Sequence, residues 1–201
     1  MDERLDRWLD ALLATPGLTS LHDRAQARRV HLDESLAAAE VVEAFEGPIV
    51  DVGSGGGAPG IPLAAFFPGR VVTLLEANGR KCAFLREAAR DFPNVTVVQG
   101  RAEEQEPDRF GVAIAKALAP PPVAAEWCLP LVVPGGAALL FVGPSADLDM
   151  LARASEQVGG GVPEERGGIV VLPKLTRTPD RFPRRPGIAR KRPLARVISR
   201  A

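Results

Sequence analysis

The chain has 201 residues, with 25 Lys or Arg balanced by 25 Asp or Glu, a length that suits one domain with a full core. At 46% hydrophobic and 25% charged residues it falls in the globular range and outside the disordered and fibrous classes. The zero net charge excludes little, because it is unevenly spread. From Lys174 to Ala201, ten Lys or Arg meet a single acid, Asp180, giving +9; the remaining residues hold 15 basic and 24 acidic groups, giving −9. An acidic body with a basic tail carries information about partners.

In chain order, Leu5, Trp8, Leu9, Leu12 and Leu13 recur at helical spacing, predicting an amphipathic helix over 3–14 that ends at Pro16-Gly17. A second helical stretch is expected from about Ser20 to Phe45, closed by Gly47-Pro48. Short apolar runs then alternate with helical stretches. Strands are expected at 48–52, 70–76, 95–98, 111–115, 137–142 and 168–172, and helices near 59–67, 80–91, 121–131 and 146–158. That alternation predicts βαβ units and a doubly wound, mostly parallel α/β sheet covered on both faces. The organisation expected is an N-terminal helical region (1–47), an α/β domain (48–176) and a Pro/Arg-rich tail (177–201) without regular structure.

Several classes drop out. Cys82 and Cys128 are too few for a disulfide framework, and without a CxxC or Cys/His cluster no metal is expected. Both should be buried free thiols. The first residues alternate charges with apolar side chains, unlike a signal peptide, and no stretch approaches the roughly 18 apolar residues of a membrane span. A cytoplasmic protein without a membrane partner is expected.

The most informative segment is Asp51-Val-Gly-Ser-Gly-Gly-Gly-Ala-Pro-Gly60, directly after the first α/β strand. Glycines allow a tight turn and close approach of a ligand, and ligands of such sheets bind outside the carboxyl ends of the strands. Gly53, Gly55 and Ala58 satisfy the dinucleotide pattern G-x-G-x-x-G/A, a weak signal alone. Asp51 would repel a pyrophosphate and attract the sulfonium or ammonium of S-adenosylmethionine. Glu76, ending the second strand, is placed for ribose hydroxyls in either cofactor class. The pair favours S-adenosylmethionine and leaves a nicotinamide cofactor as the alternative.

With these residues in hand, the sequence resembles the RsmG (GidB) family of bacterial methyltransferases, which act on guanine N7 of 16S rRNA. The resemblance rests on Gly17-Leu-Thr, His31-Leu-Asp-Glu-Ser-Leu36, the glycine loop through Gly60-Ile-Pro62, Leu75-Glu76, Lys81-x-x-Phe84-Leu85 and Arg101-Ala-Glu-Glu104. It continues in Phe182-Pro-Arg-Arg-Pro-Gly187 and Arg190-Lys-x-Pro-Leu194. It implies a class I S-adenosylmethionine-dependent methyltransferase fold, Rossmann-like, with N-terminal helices. It further implies that Gly53 and Ala58 line the cofactor, Ala102 and Glu103 hold the adenine, and Glu76 holds the ribose. Gly55 and Lys116 are expected among the cofactor residues as well; Lys116 stands where the family has Arg, and Glu34 where it has Asp.

N7 carries a lone pair and no proton, so no general base is required, and holding it in line with the methyl group suffices. No catalytic residue is therefore expected; His31 should brace the N-terminal helices. Arg181, Arg184, Arg185, Arg190, Lys191 and Arg192 are expected to grip phosphate of 16S rRNA, free or in the small ribosomal subunit. On this reading the tail serves RNA and not the cofactor. Other readings are a methyltransferase with another substrate, a nicotinamide-dependent oxidoreductase, and a weakly active or non-catalytic RNA-binding relative.

Overall fold

The computed structural model describes residues 2–143 and 146–195; Arg196 and Arg200, counted in the basic tail, lie outside the described residues. Helix α1 (Glu3–Ala14) starts where the Asp2 carboxylate accepts from Arg4 N, and buries Leu5, Trp8, Leu9 and Leu12. The second helical stretch is less regular than expected. It comprises α2 (Arg24–Ala27), a wider π-helical turn (Arg28–Asp33), α3 (Glu34–Ala37) and α4 (Ala39–Glu43), with a break at Ala38.

The α/β part follows as β1 (Ile49–Val52), α5 (Gly60–Phe66), β2 (Val72–Glu76), α6 (Gly79–Ala88), β3 (Val95–Gln99), β4 (Phe110–Lys116), α7 (Pro121–Cys128), β5 (Val132–Phe141), α8 (Leu148–Gln157), β6 (Glu164–Arg166) and β7 (Ile169–Pro173). The strands form one sheet in the order β3-β2-β1-β4-β5-β7-β6. The first five are parallel; β7 runs antiparallel to β5, and β6 to β7. Chain order reverses between β1 and β4, the place where open sheets of this kind leave a crevice.

Successive strand residues enter opposite cores, as a pleated strand requires. Ile49, Val112, Ile114, Ala137, Leu139, Ile169 and Val171 join the cluster beneath α1 and the other N-terminal helices. Val50, Val52, Ala113, Ala115, Ala138, Leu140, Val170 and Leu172 join the cluster beneath α7 and α8. Two buried faces explain why the strands read as continuous apolar runs rather than alternating ones.

The tail differs from the expectation of irregular, solvated chain. A one-turn helix, α9 (Ile188–Lys191), lies in it, and Phe182 and Ala189, 5% and 1% exposed, enter the core beneath α7. Lys174, at the end of β7, is buried and donates to Leu129 O, Val158 O and Thr178 Oγ1. Burial pushes its ammonium down to about 8, against the pull of Asp108. Both cysteines are free and buried. Among the described residues no helix is long and apolar enough to cross a membrane.

Candidate cofactor site

The glycine turn begins at the end of β1 and is braced from three sides. Ser54 Oγ donates to Asp51 O at 2.8 Å, Trp8 Nε1 of α1 donates to Gly56 O at 2.9 Å, and Gly60 N donates to Asp51 Oδ2 at 3.0 Å. The last bond corrects the expectation for Asp51. Its carboxyl, 1% exposed, is turned to the start of α5 and not toward a ligand. Burial pushes it up to about 7, opposed by the bonds from Gly60 and Ser54 and reinforced by the charge of Glu76.

The unfolded carboxyl ionises near 3.8 while the folded one keeps its proton to about 7, so the folded state holds the extra proton between these limits. Stability therefore falls as pH rises from about 4 to 7, and the deficit persists above. D51N keeps an oxygen for Gly60 and removes the ionisation. Melting curves across this range should show D51N gaining on the wild type as pH rises, with cofactor affinity unchanged.

Glu76 stands at the carboxyl end of β2, beside the reversal point. Its Oε2 accepts from Gly55 N at 3.0 Å and its Oε1 from Asn78 N at 2.7 Å. The carboxylate thereby ties the glycine turn to the start of α6, and each oxygen retains capacity for a second donor. Glu76 lines a cavity of about 270 Å³ together with Gly53, Ala102, Glu103, Leu118 and Trp127, with Lys81 and Arg190 at its walls. At Gly53, φ is +72°, and a Cβ would come within 2.3 Å of Leu118 Cδ1, so only glycine fits this turn without displacing that wall. Ala102 and Glu103 begin a 3₁₀ turn after β3.

Of the expected cofactor residues, then, Gly53, Glu76, Ala102 and Glu103 are brought together at one cavity. Gly55 acts through its N–H on Glu76 rather than as lining. Ala58 packs against the apolar cluster beneath α1 and is not among the residues lining this cavity. Lys116 also departs from expectation: its ammonium donates to Val30 O and to Glu34 Oε2, the latter at 2.9 Å, and lies over the Phe141 ring. It pins the N-terminal helices to the end of β4. Two of the positions that differ from the RsmG pattern, Lys for Arg and Glu for Asp, are thus partners in one ion pair. His31 meets Thr19 Oγ1 at 2.9 Å, and burial followed by the Lys116 charge pushes its imidazole down.

A family model described as GidB, rRNA small subunit methyltransferase G, matches residues 3–161. The chain belongs to the GidB family. A "Ribosomal RNA small subunit methyltransferase G" of Chloroflexus aggregans is 34% identical over 212 residues, covering 95% of this chain and 89% of that one. Another, of Carboxydothermus hydrogenoformans, is 39% identical over 165 residues, covering 72% and 70%. Among solved structures, a SAM-dependent O-methyltransferase of Thermotoga maritima aligns over 86% of this chain and 73% of that one, with a TM-score of 0.59 and 13% identity. A T. thermophilus 16S rRNA N2 methyltransferase, solved with AdoMet and guanosine, gives 0.53 and 16%, covering 72% and 39%. At these identities they establish the class I methyltransferase fold for this GidB chain and nothing finer.

The cofactor of that fold is S-adenosylmethionine, and the cavity's donor set suits its adenosine half. Glu76 can accept from vicinal hydroxyls, and Trp127, a cavity residue, keeps a buried Nε1 with no partner among the described residues. Trp127, Leu118 and Arg190 were not anticipated from the sequence. The first two read there simply as apolar residues after β4 and in α7, and Arg190 as one cation in a basic run.

The basic tail of this GidB chain is only partly free for phosphate. Arg184 makes two bonds of 2.5 Å to the carboxylate of Glu126, which is 3% exposed, and another to Arg192 O. Arg181 lies over Phe182. Arg190 lies over Trp127 at 5.0 Å and donates to Leu118 O at 3.3 Å. Arg185, Lys191 and Arg192 are at the surface or partly exposed in the same stretch. Arg184 is thus corrected from phosphate contact to structural anchor, because a buried carboxylate on α7 claims its planar head.

Proposed function

We propose that this protein transfers a methyl group from S-adenosylmethionine to N7 of a guanine in 16S rRNA. The observation that carries this reading is a cavity at the β1/β4 reversal, where the Gly53 turn, the Glu76 carboxylate and the Ala102-Glu103 turn converge. Bound there, S-adenosylmethionine supplies an activated sulfonium methyl group. The protein's own work is orientation. Glu76 holds the ribose hydroxyls, Ala102 and Glu103 the adenine side, and Gly53 lets the backbone approach closely.

A nucleophile without a proton needs no base, so holding N7 in line accounts for the catalysis, an effect of up to about 7–11 kcal/mol in ideal cases. A-form helices hide the major-groove edge that carries N7, so the target guanine is unpaired or splayed out. Arg185, Lys191 and Arg192 contribute phosphate contacts that position the RNA without reading its sequence. An rRNA substrate supports a cytoplasmic protein that acts on 16S rRNA, free or in the small subunit.

Tritiated methyl transfer to small subunits lacking the modification, followed by nuclease digestion, tests this. Label should appear as 7-methylguanosine. Label on another base, or none, overturns the assignment.

A further inference from the structure

The C-terminal strap, 181–194, touches the cofactor cavity at two places. Gly187 N donates to Glu103 Oε1 at 3.2 Å, so the strap holds the side chain that the adenine turn presents. Three residues on, Arg190 forms part of the cavity wall. The strap is held on either side of Arg190, where Arg184 is anchored on the buried Glu126 and Gln157 Nε2 donates to Leu194 O at 3.1 Å, which leaves the segment between them to be fixed by a ligand.

Arg190 also lines a second and larger cavity of about 800 Å³. Its other walls are the Pro120-Pro121-Pro122 run after β4, Met150 and Asp147 of the α8 start, and Pro193 of the strap. The prolines give rigid apolar walls suited to a flat base, and the volume falls within the range of small-molecule sites. Asp147 already accepts from Met150 N to start α8. Arg190 is the residue common to both cavities, and its guanidinium spans them by lying on Trp127 and bonding Leu118 O.

We propose that Arg190 is a positioning residue shared by the two ligands: it closes the cofactor cavity on one side and meets an RNA nucleotide in the larger cavity on the other, so that RNA and cofactor tighten each other's binding. The occupant of the larger cavity is a nucleotide because the cavity adjoins the cofactor cavity through Arg190, which offers a cation for phosphate beside apolar walls for a base. A phosphate on the guanidinium fixes the strap in place, and a fixed strap keeps Glu103 and Trp127 in the geometry that the cofactor meets. Such coupling is reciprocal. This inference rests on the RNA-methylating function proposed above.

Calorimetry with S-adenosylhomocysteine, with and without unmodified 16S rRNA, tests it. In the wild type the RNA should tighten cofactor binding by about fivefold or more, within the usual range of site-to-site coupling. R190K keeps the charge but loses the planar stack on Trp127. It should retain most of the RNA affinity and bind the cofactor equally with or without RNA, an effect that simple loss of stability would not produce. RNA that binds the wild type without changing cofactor affinity, or an R190K protein with undiminished coupling, overturns the inference alone. RNA that fails to bind the wild type overturns the RNA reading together with it.

Discussion

Glu76→Gln should weaken binding of S-adenosylhomocysteine by roughly a hundredfold, because it strikes the turn and the ligand at once. In the native protein both carboxylate oxygens accept backbone N–H groups, from Gly55 and Asn78. A glutamine offers only one oxygen, so its amide must face one of these donors. Gly55 is held at φ +56°, and the turn loosens at this residue when its N–H loses the carboxylate acceptor. The ligand loses a charged acceptor for its hydroxyls as well. Hydrogen bonds to charged groups are worth about 1.5–3 kcal/mol each, and about 2.8 kcal/mol corresponds to a hundredfold. Calorimetry measures the affinity, and circular dichroism checks that the fold is retained. A folded E76Q protein that binds within about threefold of the wild type, under 1 kcal/mol, would reduce Glu76 to a brace for the loop.

The largest stability effect is expected at the strap. Arg184→Ala leaves the Glu126 carboxylate, 3% exposed, in α7 without its guanidinium. Breaking a buried pair from one side costs about 3–5 kcal/mol, mostly through the stranded charge. For a chain of this size each kcal/mol lowers the melting temperature by about 2–4 °C, so a fall of roughly 10 °C is expected. The control is the double variant E126L/R184M, which removes both charges and should recover most of the loss. An R184A protein melting within about 2 °C of the wild type would mean that the strap does not depend on this pair. The strap also supports Glu103 through Gly187, so R184A should weaken cofactor binding too. That outcome is opposite to the sequence-based expectation that the tail leaves the cofactor untouched.

The architecture was legible because periodicity reports burial directly. Each of the apolar runs read as strands from 48 to 172 overlaps a strand of the sheet, although β5 starts at Val132, before the run at 137–142, and their arrangement as a doubly wound α/β fold needed no more than helices between them. Strand β6 escaped because Glu164, Glu165 and Arg166 are all exposed; its pairing is made by backbone alone and leaves no pattern in the side chains. The π-helical turn at 28–33 was hidden for a related reason, since spacing shows a helix's face but not a local change in pitch.

The site was legible by residue type and not by direction. Asp51 and Glu76 are both acids at strand ends, yet one turns into the start of α5 and the other into the cavity; only the path of the glycine turn distinguishes them. Lys116 reads as a cation near the site and is claimed by Glu34, which lies 82 residues earlier in the chain. The docking of the tail did leave a trace: Phe182 is a large apolar side chain in a run of prolines and arginines, and a solvated tail has no use for it.

Lys174 has a consequence for how tightly the protein can hold RNA. Binding to nucleic acid is driven largely by counterions released from phosphates, with a slope in log salt of about −0.7 per neutralised phosphate on a single strand. Only cations that reach the solvent contribute to that release. Lys174 is sealed among carbonyls and Thr178, and Arg184 is neutralised by Glu126. Two of the ten positive charges counted from Lys174 onward are therefore absent from the ion atmosphere, so the salt dependence of RNA binding will be shallower than the +9 segment suggests. Shape and base contacts must then carry a larger share of the affinity.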